Sequence, residues 1–371
     1  MVDRTRVALA LGSGGARGYA HIGVIQVLEE RGFEIAGIAG SSMGALVGGL
    51  HAAGQLDAYT SWVRGLRQRD VVRLLDLSLS APGAIRAEKV LARVRDLLDG
   101  AHIEELPIPF TAVATDLFAR KEVWFQRGPV DAAIRASIAI PGVITPVMLN
   151  GRLLADGGIT NPVPIAPTSS ARADLTIAVS LGGEPKAPAG AAPVQDTSEP
   201  RPMEEWADRF RTGAAQLLDR DMVRSVLNRF GNASEPVPVE AVVPPVDAPE
   251  QFETLPAGMG KFDMMYQSLD AMQSVLIRYR LAGYPPDVLV TVPRDACRSL
   301  DFHRAVEMIE LGRTLTAEAL DQAGVVAVPS GGGDAGGDAG DDDDPEHEAG
   351  NVNGSSAQAS AAARRRGSPS T

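Results

Sequence analysis

The sequence predicts an α/β fold with parallel strands, and three observations carry the prediction. Val7 to Leu11 is a short apolar run that enters a glycine-rich loop and then a helix-periodic segment. Glu34 to Ala39 is a second such run, and it turns directly into another helix former. Later runs at Phe110 to Thr115, Arg152 to Ala155, Leu175 to Leu181 and Val288 to Val292 have the length and composition of further strands. Strand, loop, helix, strand is the unit that closes with a right-handed crossover into parallel neighbours.

Taken in order, Tyr19 to Glu30 carries Ile22, Val24, Ile25, Val27 and Leu28 at helical spacing until Gly32 stops it. Ala45 to Ala53 forms the second helix and ends at Gly54. The stretch from Ile35 to Gly54 also has the length of a membrane span, but six glycines, two serines and a histidine argue against one. Leu56 to Arg67 and Ala87 to Leu98 read as helices, with Leu74 to Gly83 between them as a cap or lid segment. Glu122 to Gln126 is the hairpin partner of the strand at Phe110, and Asp116 in the turn reads as a turn cap rather than an acid. Val130 to Ile138 is a helix, broken at Ile140-Pro141-Gly142. Helices are expected over Met203 to Phe230, Lys261 to Leu281 and Phe302 to Ala323, with a proline-rich crossing from Pro236 to Pro256. The stripe Phe262, Met265, Tyr266, Leu269, Met272, Leu276 and Tyr279 reads as core-facing, the alternative being a lipid-binding face.

The 371 residues, 44% hydrophobic and 22% charged, are enough for one large domain with a helical addition. Formal net charge is −12, which argues against non-specific nucleic-acid binding. The segment from Ser330 carries eight acidic residues against three arginines, and its Gly/Asp/Ala/Ser composition predicts disorder. Its Asp341 to Asp344 run lacks the spacing of a calcium loop. One cysteine, Cys297, excludes an internal disulfide, and no Cys/His spacing reads as a metal site. The N-terminus lacks an apolar leader, so the expected compartment is the cytoplasm.

Chemistry enters at Gly40-Ser41-Ser42-Met43-Gly44, a G-x-S-x-G placed where a strand turns into a helix. Such a corner exposes the Ser42 hydroxyl above the sheet. The loop Gly12-Ser13-Gly14-Gly15-Ala16-Arg17-Gly18 emerges at the same sheet edge. It reads as a phosphate cradle or an oxyanion hole. The dinucleotide fingerprint needs glycine where Arg17 stands, which disfavours the cradle. Asp156-Gly157-Gly158 places a carboxylate at another strand end, where a plain turn is the alternative. His21 and His51 lie inside helices, His102 beside a loop, His303 in the last helix and His347 in the tail. None occupies the late-strand loop that a histidine-dependent hydrolase requires, so the Ser42 proton is assigned to Asp156.

In these residues the chain resembles the patatin-like phospholipases, in the bacterial group related to the neuropathy-target-esterase catalytic domain. The resemblance rests on Gly14 to Gly18, Gly40 to Gly44 and Asp156-Gly157-Gly158, in that order, and extends through Ala114 to Leu117, Arg135 to Ile138 and Asn161 to Pro164. Ser13 stands where many members have glycine. The resemblance implies a three-layer α/β/α patatin-like fold with a mostly parallel central sheet and a catalytic core over residues 1–182; composition and pattern add a Pro/Ala/Gly linker at 183–200, a helical C-terminal extension with one late strand at 201–328 and a disordered acidic tail at 329–371. It further implies a Ser42–Asp156 dyad, oxyanion donors at Gly14, Gly15, Ala16 and Met43, and supporting roles for Arg17, Gly18, Gly40, Gly44, Gly157 and Gly158, with Arg17 either orienting the loop or meeting a lipid phosphate. The implied activity is hydrolysis of lipid or phospholipid esters through an acyl-enzyme, without metal or cofactor, at a transient or peripheral membrane surface. A lipid-binding module with vestigial catalysis and an acyltransferase are the alternative activities.

Overall fold

In β1 (Arg6–Leu11) every residue from Val7 is buried, and alternation divides the run between two faces. Val7, Leu9 and Leu11 face one layer of helices, whereas Ala10 faces the other side. A strand buried on both faces needs cover on both, and that requirement organises the rest of the chain. The computed structural model describes residues 4–74, 83–85, 87–184 and 261–327. The expected helix at 203–230, the proline-rich crossing, most of the 74–83 segment, all but the first residues of the linker, and the C-terminal tail lie outside these described residues.

The central sheet runs β10 (Val288–Pro293), β9 (Leu175–Gly183), β1, β2 (Glu34–Ser41), β4 (Phe110–Asp116), β8 (Arg152–Asp156), β7 (Val147–Leu149), with β5 (Lys121–Phe125) also paired to β4. From β10 to β4 all neighbours are parallel. The β4–β8, β7–β8 and β4–β5 pairs are antiparallel. A separate two-stranded pairing joins β3 (Gly83–Ile85) and β6 (Gly142–Ile144). The three-residue strands β3, β6 and β7 are too short to show a period of two, and their sequence gives no strand signal.

One face carries α1 (Ala20–Glu30), α2 (Met43–Ala52) and α6 (Val130–Ser137), with α3 (Leu56–Arg64), α4 (Gln68–Leu74) and α5 (Glu88–Leu98) alongside. α8 (Ala305–Ala323) belongs to the same layer: a Cβ on Gly312 would lie 2.1 Å from Ala20 O, and one on Gly23 would lie 2.1 Å from Ile309 O. Ala305, Met308, Ile309 and Leu320 are thereby buried in the main core. The last helix is therefore part of the core layer. The Ile35–Gly54 stretch is strand β2 and helix α2, and among the described residues no helix is long and apolar enough to cross a membrane.

The opposite face is thinner. α7 (Lys261–Gly283) sets Ile277 and Leu281 against Ala10, Val163, Ile165 and Ala178. It also makes polar inward contacts through Asp270, Gln273 and Arg280. This corrects the core-facing reading of its apolar stripe: Met265, Met272 and Tyr279 are 43%, 59% and 73% exposed. Periodicity locates the apolar face of a helix, but not what lies opposite it.

Candidate active site

β2 ends at Ser41 and α2 begins at Met43, so Ser42 carries the whole change of direction, with φ 56° and ψ −121°. A non-glycine residue in that region is strained and persists only when its surroundings hold it. They do so from both sides. The Ser42 amide donates to Ser137 Oγ at 2.9 Å, and the Ser137 hydroxyl donates to Val113 O at 2.5 Å. The Ser41 hydroxyl donates to Asn161 O at 2.6 Å, and the Asn161 amide donates to Glu122 at 2.6 Å. Close backbone approach completes the corner, since a Cβ on Gly44 would lie 2.0 Å from Leu11 O and one on Gly40 2.3 Å from the Gly44 carbonyl.

Strand register brings the carboxylate to this corner. β5 occupies one edge of β4. On the other edge Val113 pairs with Ser41 of β2, and the next residue, Ala114, pairs with Asp156 of β8. The parallel strand stops where the antiparallel one arrives, so the two chain ends meet. The Ser42 hydroxyl donates to Asp156 Oδ2 at 2.5 Å, while Oδ1 accepts from the Gly158 amide at 2.7 Å. Backbone bonds fix Asp156 as well, its N–H to Ala139 O at 2.8 Å and its carbonyl accepting from Thr115 Oγ1 at 2.8 Å. Gly157 and Gly158 keep side chains out of this crossing: a Cβ would lie 2.1 Å from Val113 O at the first and 2.4 Å from Ser13 Oγ at the second.

Ser42 and Asp156 are each 3% exposed. Burial raises the Asp156 carboxyl to about 6 against the opposing pull of the Ser42 and Gly158 hydrogen bonds. A carboxylate that would be a weak base at its ordinary value is thereby brought close to the pH range in which a general base works. Asp116 is a turn cap, accepting from the amides of Phe118 and Ala119, both at 3.0 Å.

The glycine-rich loop leaves β1 beside this pair and becomes a 3₁₀ turn over Gly15–Tyr19. Its Gly12 and Ser13 amides donate to Val179 O at 3.0 Å and Pro162 O at 2.8 Å. His21 lies beneath it: Gly12 O accepts a 2.8 Å bond from the Nε2–H, which fixes the ring tautomer. Burial pushes the His21 pKa down to about 4, so the ring is a neutral prop under the loop. Among the described residues no histidine bonds to Ser42 or Asp156. Arg17 is buried, donating to Gly14 O at 3.2 Å, Arg294 O at 3.1 Å and Ser299 Oγ at 3.4 Å, with Asp270 at 3.8 Å. These contacts tie its side chain to the loop and to the C-terminal part.

Gly18 allows the turn to press on the Ser42 corner, since a Cβ there would lie 2.3 Å from Met43 Cβ. Of the four expected oxyanion donors, Ala16 has its N–H engaged by Ser299 O at 2.9 Å. For the amides of Gly14, Gly15 and Met43 no acceptor occurs among the described residues. Among those residues, too, no three of His, Cys, Asp and Glu gather as a metal-holding group. A cavity of about 250 Å³ at the other end of the sheet, lined by Gly37, Pro109 and Pro167, does not reach the pair.

Sequence reasoning passed over Ser137, Thr115 and Asn161, which hold Ser42, Asp156 and the Ser41 hydroxyl in place. Their signal was faint: Ser137 and Asn161 sit in stretches that match the family pattern but carry no chemistry of their own. Ser299, which engages the turn from the far end of the chain, has no local signal.

Comparison with known proteins follows this geometry. The family described as Patatin-like phospholipase matches residues 9–168. An uncharacterized NTE family protein of Mycobacterium tuberculosis is 56% identical over 337 residues, covering 85% of this chain and 91% of that protein. The human patatin-like phospholipase domain-containing protein 6 is 27% identical over 273 residues, covering 70% of this chain and 19% of that protein. Lysophospholipase NTE1 of Mycosarcoma maydis is 34% identical over 182 residues, covering 47% of this chain and 10% of that protein.

Proposed function

Because the chain belongs to the patatin-like phospholipase family, we propose that it is a serine lipid acyl hydrolase working through a Ser42–Asp156 dyad and an acyl-enzyme. The observation that carries this reading is the 2.5 Å hydrogen bond from the Ser42 hydroxyl to a buried carboxylate whose pKa is about 6.

Ser42 Oγ attacks the carbonyl carbon of a lipid or phospholipid ester as its proton passes to Asp156 Oδ2. The carbonyl oxygen, now negative, takes hydrogen bonds from the amides of Gly14, Gly15 and Met43, and the N-terminus of α2 adds its positive end. Each such donor is worth about 10²–10³ in rate. The tetrahedral intermediate collapses, the C–O bond to the alcohol breaks, and the departing oxygen takes the proton from Asp156. Water then attacks the acyl-Ser42 ester while Asp156 accepts its proton, and the carboxylic acid leaves with Ser42 Oγ re-protonated. Arg17 and His21 keep the donor turn in register.

Labelling with a fluorophosphonate probe tests the nucleophile. The wild-type chain is expected to be labelled and the Ser42→Ala chain not, whereas labelling that survives the substitution would remove Ser42 from this role.

A further inference from the structure

β4 ends on the same sheet edge as the dyad, and the turn that follows it carries Phe118, Arg120 and Lys121, all exposed, with Phe118 69% exposed. The hairpin of β7 and β8 rises beside it. Leu117 N–H donates to Leu153 O at 2.9 Å, and the hairpin presents Met148, 60% exposed, and Arg152. α7 contributes from the other side of the site. Leu281 and Ile277 lie against mid-strand Ala178, Gln273 reaches Gly158, and Asp270 meets Arg17 in the donor loop. The helix thus climbs toward this edge from its C-terminus to its N-terminus. At a 1.5 Å rise per residue, the turns before Asp270 stand roughly 10 Å beyond it. Those turns and the next expose Met264, Met265 and Met272.

The charge on this rim runs against that of the molecule. The chain as a whole carries −12. On the turn and hairpin, however, the exposed charges are Arg120, Lys121 and Arg152, all basic. The acidic neighbours are consumed: Asp116 is buried in its own turn, 4.0 Å from Arg152, and Glu122 is bonded to Arg280 and Asn161. Large apolar side chains exposed among basic ones around a catalytic mouth match a surface of hydrocarbon beneath anionic headgroups.

Resting on the hydrolase reading above, we propose that this sheet edge docks on an anionic phospholipid bilayer. Phe118, Met148 and the α7 methionines enter the acyl region, and Arg120, Lys121 and Arg152 meet headgroup phosphates. Docking then presents the mouth of the site to the lipid leaflet.

The test is co-sedimentation of the full chain with vesicles of phosphatidylglycerol and phosphatidylcholine, against vesicles of phosphatidylcholine alone, with turnover of a soluble short-chain ester measured in parallel. The wild-type chain is expected to favour the anionic vesicles and to lose that preference in high salt. Arg120→Gln with Lys121→Gln lowers partitioning by about thirtyfold, at about 1 kcal/mol per cation, and Phe118→Ala with Met148→Ala by about tenfold or more. Soluble-ester turnover stays near wild type in both. Equal partitioning of variants and wild type, or no preference for anionic vesicles, overturns the docking face. Absence of soluble-ester turnover in the wild type would instead count against the hydrolase, so the two readouts fail separately.

Discussion

In the proposed dyad, Asp156 is where stability and catalysis pull in opposite directions. Its folded-state pKa, raised from 3.8 to about 6 by burial, means that holding the charge at neutral pH costs about 3 kcal/mol. A raised folded value contributes stability below the unfolded value and loses it as pH climbs through the folded one. The cost is therefore small below about pH 4, grows to about pH 6 and is complete above. Asp156→Asn removes it while the side chain still accepts from Gly158, so thermal unfolding at pH 7.5 is expected at or a few degrees above wild type. The difference closes as pH falls toward 4. The same variant loses about 10³-fold or more in kcat/KM, since the base is gone. In the wild type, kcat/KM for a short-chain ester rises with pH through a midpoint near 6, where the carboxylate forms. A profile flat between pH 5 and 7 would detach Asp156 from the proton transfer.

At the scale of elements, the site is three strand ends and two turns pressed together at backbone distance. Gly44→Ala places a methyl 2.0 Å from Leu11 O, an atom of the sheet that has no room to give. It is expected to cost about 3 kcal/mol or more in urea denaturation. Arg17→Ala unties the donor turn from Ser299, Arg294 and Asp270. With the turn displaced, kcat falls by about a hundredfold while KM for a short-chain ester changes little, because misplacement of the donors affects the transition state more than binding. A rise in KM alone would point instead to direct substrate contact.

The elements also mark how far the sequence could be read. Each motif is local, so Ser42 at its corner, the glycine turn and Asp156 at a strand end were all legible. The pairing that joins them was not. It depends on β2 yielding the edge of β4 to β8 between Val113 and Ala114, and long-range register leaves no local trace. The same holds for β3, β6 and β7, whose three residues are shorter than any period. α7 was legible as a helix and misread as to its face, because Ile277, Leu281, Asp270, Gln273 and Arg280 face inward while Met265, Met272 and Tyr279 do not.

Across the whole molecule, the C-terminal part closes the core that the first residues open. β10 extends the sheet beyond β9, and α8 lies against α1 through Gly23 and Gly312. A chain cut after Glu184 would leave β9 as an open edge and uncover the Ala20 and Gly23 face of α1. Such a chain is expected to show no cooperative unfolding transition, and a sharp transition in calorimetry would show that the first part folds alone. The proposed mechanism depends on the same closure, since Ser299 and Asp270 reach back from the C-terminal part to hold the Gly15–Tyr19 turn. The central claim, an acyl group carried by Ser42 with Asp156 as base, is tested most directly by quenching a short-chain ester reaction within milliseconds and mapping the acyl mass by tandem mass spectrometry. The account predicts the acyl group on the Ser42 peptide of the wild type and none in Asp156→Asn; an acyl group on another residue, or equal acylation of the two chains, would contradict it.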